Sequence, residues 1–173
     1  MKLSAHFDST EFACKCGCGA STVDAGLISK LEQLYALMGA AAVLINSGRR
    51  CAKHSVAVGG TPSDGHVCGI AADIMVRKPG GAYYSGADIA EAAERVGFSG
   101  IGIISGNACH VDVRDGKNYA NAHWFGNEQT GDNYVKTFQR GTKFPGETTQ
   151  KKKTITVNIT IDGVQYGGTL TEK

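Results

Sequence analysis

The stretch Ser63-Asp64-Gly65-His66-Val67-Cys68-Gly69-Ile70-Ala71-Ala72-Asp73 places a histidine seven residues ahead of a carboxylate. Gly69, Ala71 and Ala72 lie between them, small residues that let backbone or a ligand approach closely. The apolar run Ile70 to Val76 reads as a strand carrying Asp73, and His66 ends the loop before it, so both side chains can reach one metal ion. A second histidine stands in Cys109-His110-Val111-Asp112-Val113-Arg114. Period-two alternation puts His110, Asp112 and Arg114 on one face and Cys109, Val111 and Val113 on the other. The apolar face is expected in the core and the charged face in a cleft. Two histidines and one carboxylate, with a fourth position left for water, form the ligand set of catalytic zinc. Spacing alone leaves a second account of His110 open, as a hydrogen-bonded strand residue with no metal.

Working outward, residues 24–38 carry Leu27, Ile28, Leu31, Leu34, Tyr35 and Met38 at helical spacing, with Asp24 to cap the start and Gly39 to end it. Residues 42–46 form a short apolar run suited to a buried strand. Ser47 to Gly69 is polar and glycine-rich. Ser85 to Val96 reads as a second helix, with Ser85 as cap, Asp88 in the capping-box position, and Ile89, Ala92, Ala93 and Val96 inward. Ile101–Ile104 and Ala108–Arg114 read as a hairpin turning at Gly106 and Asn107. The fold class is therefore α+β, a small, mostly antiparallel sheet packed with two or more helices. The domain is expected over residues 1–138, followed by a linker over 139–153 whose lysine run is solvated. In residues 154–173, Ile155, Val157, Ile159 and Ile161 alternate with polar residues, and Asp162-Gly163 marks a tight turn. This C-terminal β-hairpin is expected to pack on the domain, on a second copy or on a partner chain, since a lone hairpin is marginal in water.

The chain has 173 residues, 42% hydrophobic and 20% charged, with a formal net charge of +2. That length suits one domain with a small appendage and buries a real core. The charge gives no electrostatic footprint for nucleic acid, and no apolar run approaches the roughly 18 residues of a membrane span. Residues 1–10 lack the apolar stretch of a secretory signal, so synthesis in the cytosol is expected, with any work outside needing another exit route. No His-Glu-x-x-His, phosphate loop or Gly-x-Ser-x-Gly is present, which counts against those chemistries. The 24 glycines are roughly double the ordinary share of about 7%, and six cysteines ask for disulfides or metal. Cys14, Cys16 and Cys18 form a Cys-x-Cys-x-Cys run, unlike the Cys-x2-Cys pairs of most structural zinc sites. Bonding to Cys51, a second metal site and plain thiols all stay open. Cys68 and Cys109 are read by default as small buried hydrophobes, with a bridge beneath the metal as the alternative.

Taken together, these motifs resemble the LAS-type zinc peptidases, specifically the D-alanyl-D-alanine carboxypeptidase family. The family pattern Ser-x-His-x-x-Gly-x-Ala-x-Asp is matched by His66, Gly69, Ala71 and Asp73, with His110 as the strand-borne third ligand. Asn46-Ser47-Gly48-Arg49-Arg50-Cys51 is similar to the family's Ser-Gly-x-Arg segment, whose arginine binds the substrate's terminal carboxylate, and that residue maps to Arg50. Val58-Gly59-Gly60 and Ser99-Gly100-Ile101-Gly102 also resemble family landmarks, and the likeness spans roughly residues 5 to 125. It implies a hedgehog-like peptidase fold and one catalytic zinc ion on His66, Asp73 and His110. It also implies hydrolysis of peptidoglycan stem peptides at D-alanyl-D-alanine, with action at the cell wall, and the absent signal suits a phage-type exit route. Cross-bridge endopeptidase cleavage is the near variant, and a catalytically dead wall-binding or structural module is the rival.

Two positions depart from the pattern. Asp64 stands where the family carries serine, and Ser63 lies one place further back; both are expected at the substrate. Many relatives carry an acidic base three residues before the last histidine, and here that position is Asn107, which cannot serve as a base. Asp112 is the nearest substitute and is expected as the base. The other roles open to it are to orient a ligand histidine, to pair with Arg114, or to replace His110 as third ligand.

Overall fold

The computed structural model describes residues 1–117, 123–147, 154–161 and 164–171. After a 3-10 turn at Ser9–Phe12, the elements run α1 (Ala25–Met38), β1 (Ala42–Ser47), α2 (Ala52–Ala57), α3 (Gly65–Cys68), β2 (Ala71–Arg77) and α4 (Gly86–Val96). They continue with β3 (Gly100–Ser105), β4 (Ala108–Asp112), β5 (Trp124–Asn127), β6 (Thr154–Ile161) and β7 (Val164–Thr171). The fold is α+β, with a five-stranded sheet in the order β1-β2-β4-β3-β5 among the described residues. All pairings in it are antiparallel except β3 with β5.

Local chemistry accounts for the helices. The Asp24 carboxylate accepts from the Gly26 N–H at 2.8 Å, and Gly39 ends α1 in the left-handed conformation. Leu27, Leu31, Leu34 and Met38 lie on one face and are fully buried, each contributing about 1.5–3 kcal/mol. The Ser85 hydroxyl accepts from the Asp88 N–H at 3.1 Å to start α4. Ile89, Ala90, Ala92 and Ala93 then face the sheet and α1, with Val96 partly buried behind them. The alternation in β2, β3 and β4 divides the sheet. Ala72, Ile74, Val76, Ile101, Ile103, Cys109 and Val111 enter the core under the helices, and the opposite face carries the polar residues. Two one-turn helices, α2 and α3, interrupt the glycine-rich stretch expected as loop.

Chain beyond residue 138 also packs against the helices. Of the stretch expected as linker, residues 139–147 are docked on the helices. Phe144 is buried, the Gly146 N–H bonds the Leu37 carbonyl at 2.9 Å, and Glu147 pairs with Arg95. Glu91 explains much of this. Its carboxylate lies fully buried in α4 and accepts from the Gly141 and Thr142 N–H groups, both at 2.9 Å, and from the Thr142 hydroxyl at 2.6 Å. Polar composition made this strap look like a linker, yet it is held by a buried charge. Residues 148–153, including the lysine run, and the Asp162-Gly163 turn lie outside the described residues. β6 and β7 pair antiparallel from Thr154↔Thr171 to Ile161↔Val164. Among the described residues, no helix is long and apolar enough to cross a membrane.

Candidate active site

Strand register assembles one row across the polar face of the sheet. Ser47 on β1 pairs Asp73 on β2, Asp73 pairs His110 on β4, His110 pairs Gly102 on β3, and Gly102 pairs Gly126 on β5. Directly opposed residues share a face, so Asp73 and His110 meet without help from any loop. The two glycines leave a slot for the single tryptophan. A Cβ on Gly102 would stand 2.8 Å from the Trp124 ring, and one on Gly126 2.5 Å from it. Trp124 thus lies edge-on to His110, with ring centroids 6.1 Å apart, and forms one wall.

His66 arrives from α3. The Asp64 carboxylate caps that turn through the Val67 N–H at 2.9 Å, and Gly69 ends it. The imidazole is buried, and its Nδ1–H donates to the Gly48 carbonyl at 2.8 Å. This turns Nε2 toward Asp73 Oδ1 at 3.3 Å. On the other side, His110 bonds Asp112 Oδ2 through Nε2 at 3.1 Å and turns Nδ1 to Asp73 Oδ1 at 2.9 Å. One atom from each of His66, Asp73 and His110 lies within 4.8 Å of the other two.

Electrostatics and donor chemistry both favour a cation at this point. Although burial opposes it, hydrogen bonds from His110 and His66 hold the Asp73 carboxyl far below the ordinary range. Burial disfavours the His110 cation, but the Asp112 and Asp73 carboxylates outweigh it and raise the imidazole to about 9. With both imidazoles neutral and their Nδ1–H and Nε2–H spent on Gly48 and Asp112, two lone pairs and a carboxylate oxygen meet at one spot, a set that repels unless positive charge, from protons or from a metal ion, stands between them. A divalent metal fits that donor set, and two histidines with one carboxylate suit zinc with a position open to the cleft.

The cleft has a volume of about 590 Å³ and is lined by Arg50, Ser63, Asp73, His110, Trp124 and Glu128, among others. Arg50 donates from Nη2 to Asp73 Oδ2 at 2.8 Å and from Nε to the Ser47 hydroxyl at 2.9 Å. The neighbouring Arg49 bonds the backbone carbonyls of Arg50 and His66 at 3.0 and 3.2 Å, so it braces the loop and leaves the cleft to Arg50. Ser63 is exposed at the cleft lining. Asp64 also lines it, but its carboxylate is engaged by the Ser55 hydroxyl and by the Thr61 and Val67 N–H groups. Those donors outweigh burial and keep it ionised below the usual range. Asp64 therefore builds the loop that presents His66.

Asp112 does not occupy the place a base needs. It is fully buried and absent from the cleft lining, behind His110 as seen from the ligands. Its oxygens accept from His110 Nε2, from the Arg114 backbone N–H at 3.0 Å, and from Arg114 Nε and Nη2 at 2.9 and 2.5 Å. Burial opposes ionisation, but His110 and Arg114 hold the carboxyl at about 2. Its approaches are taken by protein donors, an arrangement that fits the alternative of an orienter of His110 better than the expected base. Cys109 is buried as expected, its thiol pushed up by burial, whereas Cys68 is exposed.

Sequence reasoning missed Glu128, which lines the cleft from beyond β5. The Glu128 N–H bonds the Ile103 carbonyl at 2.9 Å, which places it beside the end of the β3–β4 hairpin that carries Asn107. The parallel pairing of β5 brings it there, and nothing in local spacing signals it. His6 pairs with Glu32 at 2.6 Å and stacks on Tyr35; neither it nor His54 nor His123 lines the cleft.

The family model described as Peptidase M15 matches residues 5–112, a span that takes in all three candidate ligands. No curated protein matches the chain.

Proposed function

Because the chain belongs to the Peptidase M15 family, the zinc D-Ala-D-Ala carboxypeptidase-like metallopeptidases, we propose that it hydrolyses peptidoglycan stem peptides at a terminal D-alanyl-D-alanine bond. The observation that carries this reading is the convergence of His66, Asp73 and His110 within 4.8 Å on the floor of a cleft that Arg50 also lines. His66 Nε2, an Asp73 oxygen and His110 Nδ1 would hold the zinc ion. Bound there, zinc supplies Lewis acidity toward the scissile carbonyl and makes a water molecule acidic near neutral pH.

The chain's own residues do the rest. Asp112 fixes the His110 tautomer and ring plane, as a carboxylate behind a ligand histidine does. Arg50 uses Nε and one Nη2 hydrogen bond on Ser47 and Asp73. Its remaining N–H groups face a substrate's terminal carboxylate, a planar recognition that lysine cannot copy. Glu128 is the cleft carboxylate outside the ligand set with no bonding partner among the described residues. It accepts the proton of the attacking water and returns it to the leaving amine. Trp124 offers an apolar wall for the small D-alanine side chain. The site of action on this reading is the cell wall.

The test is release of D-alanine from a peptide ending in D-alanyl-D-alanine, measured before and after chelation and after zinc is returned. Zinc-dependent release supports the reading. Stoichiometric zinc with cleavage inside a cross-bridge peptide moves the activity to the endopeptidase variant. Stoichiometric zinc with no turnover on any stem peptide overturns it in favour of a wall-binding module.

A further inference from the structure

A second cluster of metal-binding side chains lies outside the cleft. The Sγ atoms of Cys14, Cys16, Cys18 and Cys51 all fall within 4.8 Å of one another. Cys14 and Cys16 are 3.3 Å apart, and Cys16 and Cys51 are 3.7 Å apart. Four thiolates at about 2.3 Å from a tetrahedral zinc ion stand about 3.8 Å from each other, so the spacing is close to that of a site ready to close on the ion. All six cysteines are free thiols.

The convergence is built by backbone contacts far apart in sequence. The Arg49 N–H bonds the Phe12 carbonyl at 2.8 Å, which lays the Arg49–Cys51 segment beside the N-terminal chain. The Cys14 N–H then bonds the Ala20 carbonyl at 2.8 Å, folding the Cys-x-Cys-x-Cys loop back on itself. Two backbone N–H groups already point at sulfur: Cys51 N–H at Cys14 Sγ, 3.3 Å, and His54 N–H at Cys51 Sγ, 3.4 Å. Such donors stabilise thiolate over thiol. Cys14 is buried while Cys16 and Cys18 are exposed, so an ion can enter from solvent and still be backed by the protein.

We propose that Cys14, Cys16, Cys18 and Cys51 bind a second zinc ion with a structural role. Four soft thiolates with no oxygen or water position favour a closed tetrahedral site. The ion clamps the N-terminal segment to the residue that directly follows Arg50, and so holds the loop from which Arg50 enters the cleft. That consequence for substrate binding rests on the peptidase reading; the metal site itself does not.

The test loads the full chain with cobalt(II), whose thiolate complexes have an intense near-ultraviolet charge-transfer band that nitrogen and oxygen ligands lack. Wild type is expected to take up two equivalents and show the band. His66→Ala is expected to take up one, with the band undiminished. Replacing Cys16 and Cys18 together by serine removes the band and one equivalent, and the wild-type spectrum gives the answer even if that variant does not fold. Added zinc should bleach the band and slow the reaction of all four thiols with a thiol reagent. Cobalt uptake without the band, thiol reactivity indifferent to zinc, or a disulfide among the four in anaerobically purified protein would each overturn the proposal. Uptake of the thiolate-bound ion alone would support it while counting against the peptidase reading.

Discussion

Replacing Asp112 by asparagine separates the two roles a carboxylate at this position can have. The structure makes the consequence calculable in outline. Asparagine keeps an acceptor for His110 Nε2, now 3.1 Å from Asp112 Oδ2, but it removes the negative charge. The His110 imidazole then loses the partner that raises its basicity and fixes its tautomer. Loss of such a partner lowers metal affinity about 10–100-fold, or about 1.4–2.8 kcal/mol. The second effect falls on Arg114, whose side chain is 18% exposed and pairs with a carboxylate only 1% exposed. Breaking a fully buried pair costs about 3–5 kcal/mol, and the partial exposure of Arg114 brings the expected loss to about 2–3 kcal/mol. Zinc affinity is read by competition with a chromogenic chelator, stability by melting with and without zinc, and turnover at limiting and excess zinc. Weaker zinc binding, a lower melting temperature and turnover largely restored by excess zinc are expected. Wild-type affinity and melting with turnover down by about 10²–10⁴ at every zinc concentration would refute the orienting role and return Asp112 to that of base.

Glu128→Gln is expected to give that last pattern, full zinc binding with kcat lowered about 10²–10⁴-fold; wild-type turnover in this variant would remove Glu128 from the mechanism. Arg50→Lys keeps a charge but gives up the planar fork, and kcat/KM on peptides with a free terminal carboxylate should fall about 10–100-fold, the value of one charged hydrogen bond. An unchanged ratio between free and amidated peptides would count against it. Burial opposes the ionised form of Glu91, but the Thr142 hydroxyl and nearby backbone N–H groups hold its carboxyl at about 2, below an ordinary 4.5. Its folded value is the lower one, so its contribution is complete above about pH 4.5 and is lost as pH falls toward 2. Melting curves between pH 7 and 3 should show that loss in wild type and a flatter profile in Glu91→Gln, which should already be weaker at pH 7 by about 3 kcal/mol. Gly102→Ala pushes a methyl toward the Trp124 ring at 2.8 Å and should cost about 1–3 kcal/mol. The lone tryptophan reports it directly, and an unshifted emission spectrum would show that the slot is not needed.

Period and capping made much of this molecule legible before any coordinates. The apolar faces of α1 and α4, their caps at Asp24 and Ser85, and the alternation in β4 follow from side-chain periodicity, which is a local property of the chain. The three metal-ligand candidates were legible for the same reason, because His66 and Asp73 share one motif and His110 lies on a patterned strand. The role of Asp112 was not. Alternation assigns a residue to a face of a sheet but says nothing of what covers that face, and here His110 and Arg114 close over the carboxylate. Glu128 and the Arg49–Cys51 loop depend on contacts between distant segments, β5 with β3 and Phe12 with Arg49, and so does the meeting of Cys51 with the N-terminal thiols. The docked strap at residues 139–147 belongs with them, since its anchor is a buried glutamate in α4. Local pattern settles which residues can form a site, and long-range pairing settles which of them are brought within bonding distance, because only the folded backbone brings together groups separated by tens of residues.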